Sequence, residues 1–256
     1  MNCRPLKKSA IPADRKGSQA ADIHPLFATL DVFHDTSPRS AAMNMAVDEA
    51  LLEDATVPSI RFYQWHSPAL SFGYFGRFTE VAIQASERDL VRRWTGGGVV
   101  FHGEDLTYSL VIPGSNAAGG ESSMSIYEKV HRALCEALKR MGKRAVVAGG
   151  IDPGGIVVAT ETAVTASGYS CFANPVRSDV MIDGRKVAGA AQRRTRHGLL
   201  QQGSIQEVEL EARFAEGFAH GLSPNCSERD VDGRILNRAG ELAECKYGTD
   251  AWLRKR

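Results

Sequence analysis

Alternating apolar and polar positions predict a β-hairpin in the second half of the chain. Val180 and Ile182 are apolar at every second residue, which is typical of a strand with one buried face. Asp183 and Gly184 follow, and this pair favours a tight turn whose two central residues have positive φ. The returning strand, residues 185–191, consists mainly of glycine and alanine around one lysine. Because strands normally prefer bulky side chains, this composition predicts that another group lies close against its backbone.

Apolar residues at helical spacing predict three helices. The first covers residues 40–52, and either Ser37 or Ser40 is placed to cap it. The second has a clear apolar stripe from residue 126 to 141 and should end at the following glycine. A weaker pattern predicts a third helix within residues 208–221.

Short segments rich in β-branched and aromatic residues predict further strands at residues 26–35, 59–66, 69–75 and 106–112. We predict a short helix within residues 79–90 and mostly loop in the polar residues 223–240. The chain shows neither an internal repeat nor a clear linker. We therefore expect residues 26–256 to form one domain. Residues 1–25 are expected to be a disordered leader or sequence upstream of the true start.

Composition narrows the classes of function. A net charge of +1 over 256 residues gives no bulk positive field of the kind that nucleic-acid binding uses. No apolar run approaches the roughly 18–20 residues that span a bilayer. Residues 1–20 lack the apolar segment of a secretory signal. Five scattered cysteines without paired spacing predict free thiols in a reducing cytoplasm, and neither a zinc site nor a disulfide framework.

Two stretches carry candidate binding chemistry. Residues 184–206 contain no acid but five lysines or arginines, which indicates either a solvated basic loop or a surface for a ligand or partner. Gly96–Gly98 follow the basic pair Arg92 and Arg93 after a short spacer. Three glycines in a row indicate positive φ or a close backbone approach, and their N–H groups could hold a phosphate or carboxylate. The spacing matches neither a Walker loop nor a dinucleotide fingerprint.

Four blocks of sequence together resemble the biotin/lipoate protein ligase superfamily, in its branch of lipoate-protein ligase A and M-type octanoyltransferases. The blocks are MNMAVDE (43–49), RRWTGGGVVFHGEDLTYS (92–109), DVMIDGRKVAGAAQRRTRHGLLQQGSI (179–205) and KYGTDAW (246–252). The resemblance implies an α+β fold with a large mixed β-sheet and a smaller sheet flanked by helices. This is the catalytic domain of class II synthetase type that biotin and lipoate ligases share.

The resemblance also implies an activity, with two chemistries open. An octanoyltransferase would take the acyl group from octanoyl-acyl carrier protein through a cysteine thioester and would need no cofactor. A lipoate-protein ligase would activate the free acid with ATP and Mg²⁺ as an acyl-adenylate. Both would modify one lysine of a lipoyl-domain protein in the cytoplasm, with no nucleic acid and no membrane as partner. A binding module that has kept the fold but lost the chemistry is the remaining alternative.

Two residues are implied to be catalytic. Cys171, directly before Phe172, stands where the M-type transferases place their nucleophile. Considered without the resemblance, such a cysteine is more often a small buried apolar residue. Lys186 matches a lysine of both branches. In a transferase its charge would favour the thiolate, and in a ligase it would hold the carboxylate and the α-phosphate.

The remaining implied site residues bind substrate, and no metal ligand is predicted. They are Arg92, Arg93, Gly96, Gly97, Gly98, His102, Gly189 and Ala190. His102 could instead be structural at a strand end, and one of the two arginines could pack outward. The chain also departs from the family pattern. Gly98 is usually arginine among the transferases, and Gln202 stands where histidine is common.

Overall fold

A computed structural model describes residues 25–149 and 176–255 of the chain. Cys171 and residues 1–24 of the predicted leader lie outside these ranges. The strands are β1 (Leu30–Arg39), β2 (Ser59–Trp65), β3 (Ala69–Phe72), β4 (Asp89–Arg92), β5 (Val99–His102), β6 (Leu106–Pro113), β7 (Ala145–Val147), β8 (Val180–Ile182), β9 (Arg185–Thr195), β10 (Gly198–Ile205) and β11 (Cys226–Arg229). The helices are α1 (Ala41–Asp54), α2 (Ser123–Arg140), α3 (Phe214–Leu222), α4 (Gly233–Leu242) and α5 (Asp250–Leu253).

The described strands form two mixed sheets. The larger has eight strands in the order β11-β1-β2-β6-β10-β9-β8-β7, and the smaller has three in the order β4-β3-β5. β1 runs parallel to both β11 and β2, whereas β6, β10 and β9 are antiparallel neighbours. In the small sheet β3 is parallel to β4 and antiparallel to β5. The predicted α+β architecture is therefore confirmed.

Helices cover both faces of the large sheet. Leu110 of β6 belongs to the apolar core beneath α2 and α3, and its neighbour Val111 belongs to the core beneath α1 and α4. This division follows from the strand period of two, which sends successive side chains to opposite faces. The small sheet packs on the α1 side, where Ala69 and Val91 join the same core. No helix in the described ranges is long and apolar enough to cross a membrane.

Several local predictions are confirmed. Asp183 and Gly184 have φ of 49° and 78° at the turn between β8 and β9. Of the two candidate caps for α1, Ser40 is the one used, and its Oγ accepts from the N–H of Met43. α2 ends just before Gly142, whose φ is 75°. These features are local, because turn and cap geometry depends on a few adjacent residues.

Other local predictions were wrong. Residues 223–240 contain β11 and most of α4 rather than loop. Asp232 caps the beginning of α4, and the helix buries only a narrow apolar stripe that includes Ile235 and Ala239. The rest of its sequence is largely polar, so the apolar pattern was too weak to predict a helix. Residues 79–90 form short 3₁₀ turns followed by the start of β4 instead of one helix. The helix predicted within residues 208–221 is present as α3, but it begins only at Phe214.

Candidate active site

Between the two sheets lies a cavity with about 480 Å³ of space free of protein atoms, part of it at an open mouth. It brings together most of the site residues predicted from the sequence. Those at its wall are Arg93, Gly97, His102, Lys186, Gly189 and Ala190. Gly96, Gly98 and Arg92 do not line it. The predicted nucleophile, Cys171, lies outside the described residues.

The side chain of Lys186 folds back over its own strand, β9, so that its end lies close to the backbone of Gly189. Its Nζ lies 2.8 Å from Oδ2 of Asp179, and both side chains are buried. A β-carbon at Gly189 would lie only 2.5 Å from Cε and 2.6 Å from Nζ of Lys186. Glycine at position 189 therefore leaves the space that the lysine side chain occupies. The group that lies close against this small-residue strand is therefore the side chain of the strand's own lysine.

Asp179 is a site residue that the sequence reasoning missed. Its Oδ1 accepts a 2.5 Å hydrogen bond from the hydroxyl of Tyr127, and its Oδ2 accepts from the N–H of Val176 as well as from Lys186. Burial and the Asp179 carboxylate raise the pKa of the Tyr127 hydroxyl, so that it remains a donor. The same hydroxyl accepts from the N–H of Ala190. The buried lysine is thus paired with a carboxylate that is itself fixed by other donors.

His131 of α2 forms a hydrogen bond with the backbone just before β8, the first strand of the hairpin. Its Nδ1 lies 2.6 Å from the carbonyl oxygen of Ser178, which can only accept, so Nδ1 carries the proton. Nε2 then accepts from the hydroxyl of Tyr108. Burial lowers the pKa of His131 to about 4, which keeps the ring neutral. A β-carbon at Gly203 would lie 2.3 Å from the Tyr108 ring, so the close packing of this tyrosine also depends on a glycine.

The triple-glycine loop packs backbone against backbone. A β-carbon at Gly73 would lie 2.0 Å from the carbonyl oxygen of Gly97, and Gly97 itself has φ of 83°. Both uses expected for the glycines, positive φ and close approach, are therefore present. Nη2 of Arg93 donates to the carbonyl oxygens of Gly96 and Gly98, at 3.0 and 2.8 Å. Arg93 thus fixes the shape of the loop at the cavity wall.

Arg92, the other predicted arginine, has a different environment. Its fully buried guanidinium donates to the carbonyl oxygens of Tyr74 and Gly76 and to those of Trp252 and Leu253 in α5. A planar group with five donors suits such a set of carbonyls. Arg92 thereby connects the C-terminal segment to β4. Because Arg92 does not line the cavity, the structure does not support the prediction that it binds substrate.

His102 lies in a buried polar cluster at the cavity wall. Nε2 is 2.6 Å from Oγ of Ser71, and Nδ1 is 2.8 Å from Oδ2 of Asp105. The ring stacks on Trp65 with 4.0 Å between centroids. Burial lowers the pKa of His102, although the Asp105 carboxylate opposes this change. His102 therefore lines the cavity, as the substrate-binding prediction requires, and is also fixed within the fold.

Gln202 connects β10 with the glycine loop and with α1. Its Nε2 donates to Oδ2 of Asp48 at 2.7 Å, and its Oε1 accepts from the hydroxyl of Thr95 at 2.8 Å. Asp48 also forms a buried ion pair with Arg61. The glutamine thus joins one wall of the cavity to a buried charged network.

Comparison with known proteins identifies the family. The family model described as Lipoyl protein ligase A/B catalytic domain matches residues 40–243. The chain belongs to this family. The match contains the glycine loop, the hairpin and every described residue of the cavity wall named above.

Relatives within the lipoyl protein ligase A/B family cover nearly the full length of the chain. The protein named octanoyltransferase LipM of Geobacillus kaustophilus is 36% identical over 279 residues, which span 88% of this chain and 98% of that protein. The protein of the same name from Anoxybacillus flavithermus is 35% identical, with the same shares covered. These relatives carry the name of an acyltransferase.

Solved structures confirm the fold. Lipoate-protein ligase A bound with ATP superposes with a TM-score of 0.66 at 19% identity and covers 89% of this chain and 98% of that chain. A bipartite lipoate protein ligase from Thermoplasma acidophilum, described with its E2 lipoyl domain, gives 0.63 at 19% identity, covering 90% and 96%. The predicted lipoate-protein ligase fold is therefore confirmed.

In this member of the lipoyl protein ligase A/B family, the cavity presents one buried ammonium group beside small and apolar residues. Ala190, Ala191 and Val100 contribute apolar wall, and Lys186 contributes the ammonium group, in addition to the Arg93 guanidinium that binds the glycine loop. An apolar chain can be buried there while its carbonyl or carboxylate lies by the lysine. A fixed cation beside an oxygen that gains charge during a reaction is an effective electrostatic catalyst.

Proposed function

We propose that the chain transfers an octanoyl group, or a lipoyl group from the corresponding lipoyl donor, to a specific lysine of lipoyl-domain proteins, with octanoyl-acyl carrier protein as the octanoyl donor and no cofactor. The observation that carries this proposal is the buried pair of Lys186 and Asp179 at the wall of the cavity between the two sheets. The family membership and the octanoyltransferase LipM relatives support the same reaction.

The proposed reaction has two steps. The Cys171 thiolate attacks the carbonyl carbon of the octanoyl thioester, and the carrier leaves as its thiolate. The amine of the lipoyl-domain lysine then attacks the acyl-cysteine, an amide forms with loss of one proton, and Cys171 is released as a thiolate. Exchange of one thioester for another is nearly neutral in free energy, so the first step depends mainly on positioning. The role of Cys171 rests on the sequence, because this residue lies outside the described ranges.

Lys186 supports both steps in this proposal. An ammonium group beside a thiol lowers the thiol pKa from about 8.5 and so increases the thiolate fraction near neutral pH. The ion pair with Asp179 holds the ammonium group in place, and the absence of a side chain at Gly189 leaves room for it. The apolar wall binds the acyl chain, and its seven apolar carbons at about 0.8 kcal/mol each contribute roughly 5–6 kcal/mol.

A ligase is the second candidate, and one observation favours it. Gly98 completes a triple glycine of the kind found in ligases, where the M-type transferases usually have arginine. In this alternative the carboxylate of octanoate or lipoate attacks the α-phosphate of ATP in the presence of Mg²⁺, pyrophosphate leaves and an acyl-adenylate forms, and Lys186 holds the carboxylate and the α-phosphate. A binding module without catalysis is less consistent with a lysine kept buried and paired at the cavity wall.

The test compares both donors with one acceptor. We would incubate the protein and a lipoyl domain either with octanoyl-acyl carrier protein or with octanoate, ATP and Mg²⁺, and record intact masses. We expect transfer from the carrier and a hydroxylamine-labile octanoyl adduct on Cys171. Cys171→Ser should abolish both, whereas Cys245→Ser, at an exposed thiol, should have no effect.

The other outcomes separate the alternatives. Full activity of Cys171→Ser with octanoate and ATP, without any adduct, would show that the protein is a ligase. Absence of lipoyl-domain modification with either donor, while the domain still binds, would indicate a binding module.

A further inference from the structure

The cavity is bounded on one side by the lysine strand and on the other by polar residues of the small sheet. Lys186 and Gly189 belong to β9 of the large sheet, whereas Ser71 of β3 and His102 of β5 belong to the small one. Both pairs line the same cavity. A bound acyl chain whose carbonyl lies by Lys186 would therefore lie in the same cavity as Ser71 and His102.

The hydrogen bonds of this polar wall have definite directions. Nη1 of Arg93 donates to Oγ of Ser71 at 2.7 Å, because a guanidinium has no acceptor. A carboxylate oxygen only accepts, so Nδ1 of His102 donates to Oδ2 of Asp105, and Nε2 of the neutral ring accepts from the hydroxyl of Ser71. Every contact in the series pairs one donor with one acceptor, so the groups satisfy one another without a ligand.

The wall is also firmly held. Oδ2 of Asp105 accepts from the hydroxyls of Thr107 and Ser204, at 2.8 and 2.7 Å, which ties the cluster to the large sheet. Ser71 is fully buried in the middle of β3, and His102 stacks on Trp65. A ligand atom that displaced Ser71 or His102 would leave buried polar groups without partners, and that is unfavourable.

We propose that the Ser71–His102–Asp105 cluster is the blind end of the acyl pocket, and that Ser71 sets the longest chain the pocket accepts. This inference rests on the proposed function, since it assigns an acyl chain to the cavity. The terminal methyl of an octanoyl chain would meet the cluster, and one further methylene would have to displace it. Ser71 is thus a specificity-determining residue.

The arrangement of serine, histidine and carboxylate also has the geometry of a hydrolase triad. Two observations assign Ser71 to the wall instead. Its oxygen already accepts from the Arg93 guanidinium, and its side chain is fully buried within a regular strand. In α/β-hydrolases the nucleophilic serine lies on a sharp strand-to-helix turn with its oxygen exposed.

Two substitutions at one position test the inference. Ser71→Ala removes one oxygen atom from the end of the pocket, and Ser71→Thr keeps the hydroxyl and adds a methyl group. We would supply equimolar heptanoyl, octanoyl and nonanoyl donors in whichever form supports transfer, carrier thioester or free acid with ATP and Mg²⁺. The masses of the modified lipoyl domain give the ratio of products.

The expected shifts have opposite signs. Ser71→Ala should raise the nonanoyl to octanoyl ratio about fourfold, and Ser71→Thr should lower the octanoyl to heptanoyl ratio about fourfold, which is the effect of one buried methylene. Ser223→Ala is the matched control, because it removes another buried hydroxyl, one that is bonded to Asn225 and does not line the cavity. Its product ratios should equal those of the wild type.

A second variant tests the same inference if Ser71→Ala does not fold. Val100 lies opposite Ser71 in the register of β3 and β5 and lines the cavity. Val100→Ala enlarges the same end without touching a hydrogen bond, and it should also raise the share of nonanoyl product.

Two results would overturn the inference. One is an unchanged product ratio in folded Ser71→Thr and Val100→Ala proteins that still transfer acyl groups. The other is covalent labelling of Ser71 by a fluorophosphonate, which would show a reactive nucleophile. Absence of transfer by the wild-type protein with every donor is a different result, because it would contradict the proposed function itself.

Discussion

The space that Gly189 leaves for Lys186 can be probed with a single methyl group. In Gly189→Ala the new β-carbon would lie 2.5 Å from Cε and 2.6 Å from Nζ of Lys186, and 3.2 Å from Oδ1 of Asp179. Carbon atoms in contact are normally about 3.5–4.0 Å apart, so the end of the lysine must move by about 1 Å. The shortest contacts are with a flexible side-chain end and not with backbone, so we expect the fold to persist.

The size of the effect follows from that displacement. A shift of about 1 Å in a catalytic group can cost about 100-fold in rate, and we expect acyl transfer to fall by that factor. The ion pair between Lys186 and Asp179, now 2.8 Å long, would be strained at the same time. Overpacking of this kind costs about 1–3 kcal/mol. In a domain of this size each kcal/mol lowers the melting temperature by about 2–4 °C.

The assay pairs a rate with a melting curve. We would measure single-turnover octanoylation of a lipoyl domain by mass spectrometry and thermal unfolding by circular dichroism. The matched control is Gly240→Ala in α4, where no heavy atom lies within 4 Å of an added β-carbon. It should keep the wild-type rate and should not lower the melting temperature, since alanine favours helix over glycine by about 1 kcal/mol. Transfer by Gly189→Ala at the wild-type rate would refute the view that Gly189 positions Lys186.

Two further predictions concern the groups behind the site. Burial lowers the pKa of His131 to about 4, below the ordinary 6.5, so the unfolded chain takes up the proton first. The contribution of neutral His131 to the free energy of unfolding is complete above about pH 6.5 and is lost as the pH falls toward 4. We would measure urea unfolding between pH 5 and 7.5, where the free energy of unfolding should depend less steeply on pH in His131→Gln than in the wild type. Equal slopes in the two proteins would contradict this. Gly203→Ala would place a β-carbon 2.3 Å from the ring of Tyr108, which is fully buried and cannot move aside, so we expect a loss of about 3 kcal/mol. A wild-type melting temperature for that variant would be inconsistent with the packing.

Much of the local structure could be predicted from the sequence alone. The Asp183-Gly184 turn, the cap at Ser40 and the end of α2 at Gly142 are set by adjacent residues, and all three are confirmed. α4 was missed because its stability comes from packing a narrow stripe on α1, which periodicity in a polar segment does not reveal.

The motifs also predicted several residues of the candidate site, but not their partners. Lys186 and His102 lie at the cavity wall as expected. The sequence analysis did not predict that Asp179 pairs with Lys186 or that Asp105 pairs with His102, although each aspartate lies close to its partner along the chain. Acidic residues near a turn are usually solvated, and only the folded structure shows that these two are buried and bonded.

The neighbouring arginines show most clearly what the tertiary structure decides. The sequence determined that a basic pair precedes three glycines, and it left open which arginine faces the site. In the fold Arg93 bonds to Ser71 and the glycine loop at the cavity wall, whereas Arg92 bonds to carbonyl oxygens of α5. Successive residues of an extended chain point to opposite faces, so one arginine must turn away from the cavity. Which one does so depends on what packs against each face of β4, and α5, which packs there, begins more than 150 residues later in the chain.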